Sequence, residues 1–128
     1  PEQAMAMVNA WSISSLANKP GFPSPGNWLH GGGMALMRRV QADAPEGTNL
    51  FLHDFEVCHR YARGLEAAQA VTCPVHFILG RHDQMTPPKA TQGLAQALKA
   101  TVHTVPSGHH QLAETPDATL AALRAALR

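Results

Sequence analysis

The sequence predicts an α/β chain: a helical region followed by a βαβα unit with two parallel strands. Three observations carry this. Residues 1–70 show helical spacing and loops but no strand signal. PVHFILG (74–80) and TVHTVP (101–106) are short apolar or β-branched runs of strand length. Each is followed by apolar residues at helical spacing, which predicts a right-handed crossover within about 55 residues. A chain of 128 residues is long enough to bury one core. Two parallel strands are too few for a sheet covered on both faces, so the sequence reads as the end of a larger α/β fold.

In chain order, Ala4, Val8, Trp11 and Ser15 recur at helical spacing and predict a helix over about 2–17. NKPGFPSPGNW (18–28) is too rich in Pro and Gly for a regular element and reads as an ordered loop or lid segment. HGGG (30–33) reads as a turn leading into a short helix, MALMRRVQA (34–42). Asp54 is placed to cap a further helix with Phe55, Cys58, Ala62 and Leu65 on one face. PVHFILG is then expected as a buried parallel strand closed by Gly80. Thr86-Pro87 reads as N-cap and first helical position of a helix to about 99, with Ala90, Leu94, Ala97 and Leu98 inward. After the second strand, Leu120, Leu123 and Leu127 mark a C-terminal helix.

Composition excludes several functions. The chain is 45% hydrophobic and 15% charged with a net charge of +1, and its ten Lys and Arg are scattered, unlike the basic stripe of a nucleic-acid binder. No apolar run approaches a membrane span. The start, PEQAMAMVNAW, lacks the basic and apolar regions of a secretory signal. Cys58 and Cys73 form no CxxC pair and are expected as reduced thiols in a cytoplasm, Cys58 packed and inert within its helix. Eight histidines suggest metal, but there is no HExxH, HxH or Cys-His cluster, and His53 and His59 are six apart. No metal or cofactor is expected.

The polar residues concentrate where an open α/β sheet places its functional groups, just past the carboxyl ends of the strands. GRHDQMTP (80–87) follows the first strand and PSGHHQLAE (106–114) the second. Parallel neighbours would bring Asp83 beside His109 and His110. An Asp there accepts the Nδ1–H of a histidine, fixes its tautomer and stabilises the imidazolium that forms when the other nitrogen takes a proton.

CPVHFILGRHDQMTPP followed by TVHTVPSGHHQLAETPDATLAALRAAL resembles the C-terminal portion of an α/β-hydrolase, over roughly residues 73–128. Gly80-Arg81-His82-Asp83, Gly108-His109 and Glu114-Thr115-Pro116 carry the resemblance by order and spacing. It implies that Asp83 is the triad acid and His109, rather than His110, the base. Residues 1–70 are then similar to the family's helical lid, and 71–128 to the end of its core. The family's nucleophile sits on G-x-S-x-G upstream of the lid. That motif is absent, and none of Ser12, Ser14, Ser15, Ser24 and Ser107 follows a strand and opens a helix. The HGGG at 30–33 follows no early strand and precedes no elbow, so an oxyanion-hole role for it is disfavoured. The expectation is a C-terminal part of a serine-type hydrolase of small-molecule esters or related bonds, inactive alone. Met85, two residues past Asp83, is expected to wall the site; Trp28, with Trp11, Met34 and Met37, is a candidate to line an apolar pocket under the lid, against plain core, which is the favoured reading of any single one of them. The competing expectation is a non-catalytic binding or assembly module, self-associating through exposed strand edges. Self-association is expected in either case.

Overall fold

The computed structural model describes residues 2–14 and 25–128; most of the 18–28 loop lies outside them, as do Ser15 and Ser24. The two predicted strands form a two-stranded parallel sheet, β1 (His76–Gly80) beside β2 (Thr101–Val105), with Phe77 opposite Val102 and Gly80 opposite Val105. The chain is thus mixed helical with a small parallel sheet, α/β in the broad sense. The register puts Gly80 and Val105, the last residue of each strand, side by side and buried. The turns that follow therefore leave the sheet at the same level.

The crossover differs from the expectation in its first turn. Thr86 does not cap a helix; its hydroxyl donates to Asp83 Oδ2 at 2.9 Å. The helical stretch begins later, as a 3₁₀ turn over Pro88–Thr91 that runs into a helix at Gln92–Ala97. That helix ends in a Schellman arrangement: the Ala100 N–H donates to the Ala95 carbonyl at 2.9 Å, and the Lys99 N–H to Gln96 at 3.1 Å. Lys99 takes the left-handed conformation this requires, φ 51°.

Among the described residues, four helices precede the sheet: α1 (Glu2–Ser12), α2 (Pro25–Ala42), α3 (Leu50–Arg60) and α4 (Gly64–Ala68). The Gln92–Ala97 helix is α5; after β2 come α6 (Gln111–Glu114) and α7 (Pro116–Ala126). α1 packs on α2, α4 on α5, and α7 on both strands. The inward face of α1 is Met5, Asn9 and Ser12, not Ala4, Val8 and Trp11, and Trp11 is 53% exposed. Most of this buried polar face is bonded: the Asn9 amide nitrogen donates to the His30 carbonyl at 2.7 Å, and the Ser12 hydroxyl to the Val8 carbonyl at 2.7 Å, whereas the buried Asn9 Oδ1 has no partner among the described residues.

The glycines of HGGG form no turn; they lie inside α2. Gly33 is needed there because a Cβ would collide with the Asn9 side chain, so its absence lets α1 and α2 approach closely. α3 is capped by Asn49, whose side chain accepts from the Leu52 N–H at 3.1 Å, and Asp54 lies within the helix rather than before it. The expected face does not run through: α3 stops at Arg60, Phe55 and Leu65 are exposed, and Cys58 is exposed rather than packed. In α7 the leucines point outward. Thr119 is buried, Ala118, Ala122 and Ala126 are half-buried, and Leu120, Leu123 and Leu127 are exposed. Small side chains let a helix lie close on a two-stranded sheet, which leaves the leucine row on the far side.

Among the described residues, the buried apolar side chains are Met5, Ile13, Met34, Ala68 and Val105. This is a thin core for a chain that leaves large apolar groups on α2, α3 and α7 in solvent. The strands are half-buried at most until Gly80 and Val105, not covered on both faces as predicted for β1. Among the described residues, no helix is long and apolar enough to cross a membrane.

Lys99→Gly should raise stability by about 0.5–1 kcal/mol, because glycine removes the Cβ penalty of the left-handed position at some cost in chain entropy. Urea unfolding midpoints compare the two chains; an unchanged or lowered midpoint would contradict the capping account.

Candidate acid–base site

The site is built by two turns that cross at glycines. Beyond the strands, the Arg81 N–H donates to the Val105 carbonyl and the His82 N–H to the Ser107 carbonyl, both at 2.9 Å. The pairing thus continues into the turns and holds them together. A Cβ on Gly80 would run into the Gly108 and Ser107 carbonyls. A Cβ on Gly108 would lie 2.6 Å from the Ser14 nitrogen, 2.8 Å from Glu114 Oε1 and 2.9 Å from the Ser12 carbonyl oxygen. Only glycine fits either crossing.

The first turn presents Asp83. Its Oδ1 accepts from the Met85 and Thr86 N–H groups at 2.9 Å each, folding the loop around the carboxylate. Its Oδ2 accepts the Thr86 hydroxyl and faces His109 Nδ1, both at 2.9 Å. One oxygen shapes the turn and the other meets the histidine. The Asp83 side chain is 4% exposed and that of His109 39% exposed. Burial pushes the Asp83 carboxyl up, but hydrogen bonds from the Thr86 backbone, His109 and the Thr86 hydroxyl outweigh it and leave its pKa below the ordinary value. An ionised carboxylate has no proton to donate, so the proton between it and His109 sits on Nδ1. That leaves Nε2 of a neutral ring as a bare acceptor.

The second turn is fixed from α1. The Ser12 carbonyl accepts the His109 N–H at 2.8 Å and the His110 N–H at 3.1 Å. Glu114 completes the clamp: its carboxylate accepts the Gly108 N–H at 3.1 Å and the Ser14 N–H at 3.2 Å. The end of α1, the histidine turn and the last residue of α6 thus meet on one carboxylate. Gln111 ties the same turn to the sheet by donating to the Ile78 carbonyl at 3.0 Å. Beside His109 lies an open hollow of about 300 Å³, lined by His109, His110, Gln111, Leu112 and Ala113.

The structure joins Asp83 and His109 as the sequence predicts. His110 adjoins His109 and makes no such carboxylate pair. Met85 borders the acid loop, with its sulfur 2.9 Å from the Ser12 hydroxyl. Trp28 is not brought to this site: it sits on α2, 85% exposed, and does not line the hollow. The helix that runs through the glycines holds Trp28 on α2 with its side chain in solvent. Ser107 is fully buried with its hydroxyl toward the Gly108 carbonyl at 3.2 Å, a turn residue and not a nucleophile. The helical amides of HGGG are committed to backbone bonds within α2 and form no anion hole. Among the described residues, no serine hydroxyl is hydrogen-bonded to His109, and no group of three or more potential metal ligands exists.

Two contributors were not legible from spacing. Thr86 looked like a helix cap, and Glu114 only like part of a Glu-x-Pro signature. Thr86 Oγ1 lies 3.2 Å from His109 Nδ1 across 23 positions, and Glu114 reaches Ser14 across 100, which no local pattern encodes. A scan against protein-family models, a search of curated proteins and a search of solved structures each found no match for this chain.

Burial and the nearby His109 hold the His110 imidazole below its ordinary pKa, against a smaller upward pull from Glu114. The unfolded chain therefore takes up a proton at His110 before the folded one does, so stability should fall as the pH drops below about 6.5. Asp83 adds a second loss at more acid pH, as its depressed folded pKa is passed and the unfolded carboxylate is already protonated. Urea unfolding between pH 7 and 5 should show a shallower decline for His110→Gln than for the parent; an identical slope would contradict burial of the neutral ring.

Proposed function

We propose that Asp83 and His109 are the acid and base of a Ser-His-Asp triad in a serine-type α/β-hydrolase acting on an ester or related small-molecule bond. The nucleophilic serine comes from chain preceding these 128 residues. One observation carries the reading: a carboxylate buried to 4% exposure, 2.9 Å from the Nδ1 of a histidine that remains partly open to solvent. In this reading His109 Nε2 removes the serine proton as the oxygen attacks the carbonyl carbon, and Asp83 stabilises the resulting imidazolium. The imidazolium then returns the proton to the leaving group. Water, deprotonated by the same nitrogen, attacks the acyl-enzyme and releases the acid and the free serine. No cofactor enters these steps. The hollow beside His109, with Leu112 and Ala113, offers an apolar surface for part of a small substrate, with Met85 at the edge of the acid loop.

A fluorophosphonate probe tests this. It should label no serine in the 128-residue chain, which should show no ester turnover. In the longer polypeptide it should label a serine N-terminal to Pro1, and Asp83→Asn and His109→Gln should each lower kcat by about 10⁴-fold or more. A labelled serine within the chain, or full activity in Asp83→Asn, would contradict the proposal.

The exposed apolar rows favour a second reading, a module that self-associates without catalysis. Val102 on β2 and the α7 leucines lie open, and the sheet has two strands with no further neighbour among the described residues. Light scattering over a concentration series should show association of the isolated chain; a monomer at every concentration would contradict this reading.

A further inference from the structure

At the opposite end of the sheet from the acid–base site lies a second pair of titratable side chains. His76 opens β1 and His103 stands in the middle of β2. The parallel register sets His76 against Thr101 and Ile78 against His103. Side chains alternate along each strand, so both histidines rise from the same face, offset by two residues. Their ring planes are 20° from parallel with centroids 5.4 Å apart, and His76 Nδ1 lies 3.1 Å from His103 Nε2, so the two rings meet nitrogen to nitrogen, end to end. His76 is exposed and His103 half-buried. The triad reading uses neither.

With both rings neutral, one N–H donates to the other nitrogen. The same separation suits chelation. Two imidazole nitrogens about 2.0–2.1 Å from one ion are separated by roughly 2.9 Å at a right angle and roughly 3.3 Å at a tetrahedral one. The observed 3.1 Å lies between these values. Among the described residues, neither ring has a side-chain hydrogen bond other than to its partner, so each is free to turn its lone pair toward a shared ion. The backbones are already fixed by the ladder, so little further ordering is required.

We propose that His76 and His103 form a two-histidine binding site for a divalent transition-metal ion, with Cu²⁺ preferred over Zn²⁺ and water completing the coordination. The ring that donated shifts its proton to its outer nitrogen through solvent, so capture of the ion by the neutral pair releases no net proton. The site is open on the solvent side and has two protein ligands, which suits reversible binding rather than a structural metal. It depends on the sheet register alone and stands whether or not Asp83 and His109 serve a hydrolase.

Titration calorimetry with CuCl₂ and with ZnCl₂ tests this on the purified chain. One Cu²⁺ should bind at a site tighter than that for Zn²⁺. His76→Asn and His103→Asn should each weaken it on the order of a hundredfold, by removing the second ligand of a preorganised pair. His59→Asn, on exposed α3, should leave it unchanged. Unchanged affinity in either single variant of the pair, or a larger loss in His59→Asn, would overturn the proposal. A second measurement needs no variant: substoichiometric Cu²⁺ should broaden the imidazole signals of His76 and His103 together and first. Broadening that begins at His109, His110 or any other histidine would overturn it.

Discussion

Two loops pass backbone against backbone at Gly80 and Gly108, and the placement of the polar groups around them depends on that crossing. A parallel pair that ends level at Gly80 and Val105 delivers both turns to one point. Without side chains at the two glycines, the Arg81 and His82 amides can reach the carbonyls of the opposite turn. Asp83 then faces His109 although 26 positions separate them. Any Cβ at either glycine would have to displace backbone rather than the end of a flexible side chain.

Around this crossing, the polar groups hold one another in place where apolar packing is thin. Asp83 shapes its loop with one oxygen and orients His109 with the other. Glu114 accepts from the histidine turn and from the chain leaving α1, so two carboxylates fix the two ends of one loop system. Buried polar groups of this kind cost little when every partner is present and much when one is lost. The site's geometry therefore rests on hydrogen bonds, and the apolar faces of α2, α3 and α7 contribute less to it than their composition suggests.

The sheet was legible because its signals are local. Short apolar or β-branched runs between turn formers specify strands, and the helical chain between them is long enough for a parallel crossover. Asp83 and His109 were legible for a related reason, since strand ends are where such a sheet gathers polar groups. Helix faces were not. The leucines of α7 recur at helical spacing, yet the alanines and Thr119 beside them face the sheet, because a thin sheet accepts the smaller face. HGGG looked like a turn by composition, but close packing on Asn9 makes a helical glycine useful at Gly33. Gly31 and Gly32 meet nothing within 4 Å, and nothing in the structure explains them. The roles of Thr86 and Glu114 depend on contacts between segments distant in sequence that the fold brings together.

The Asp83 carboxylate holds His109 in one tautomer, which leaves Nε2 free to take a proton. Imidazole ¹⁵N NMR of the selectively labelled chain, followed through a pH titration, reads this directly. In the neutral form of His109 the proton should sit on Nδ1 with Nε2 unprotonated, reverting toward the mixture of a free histidine in Asp83→Asn. A neutral His109 protonated at Nε2, or a tautomer indifferent to the loss of the Asp83 carboxylate, would contradict it.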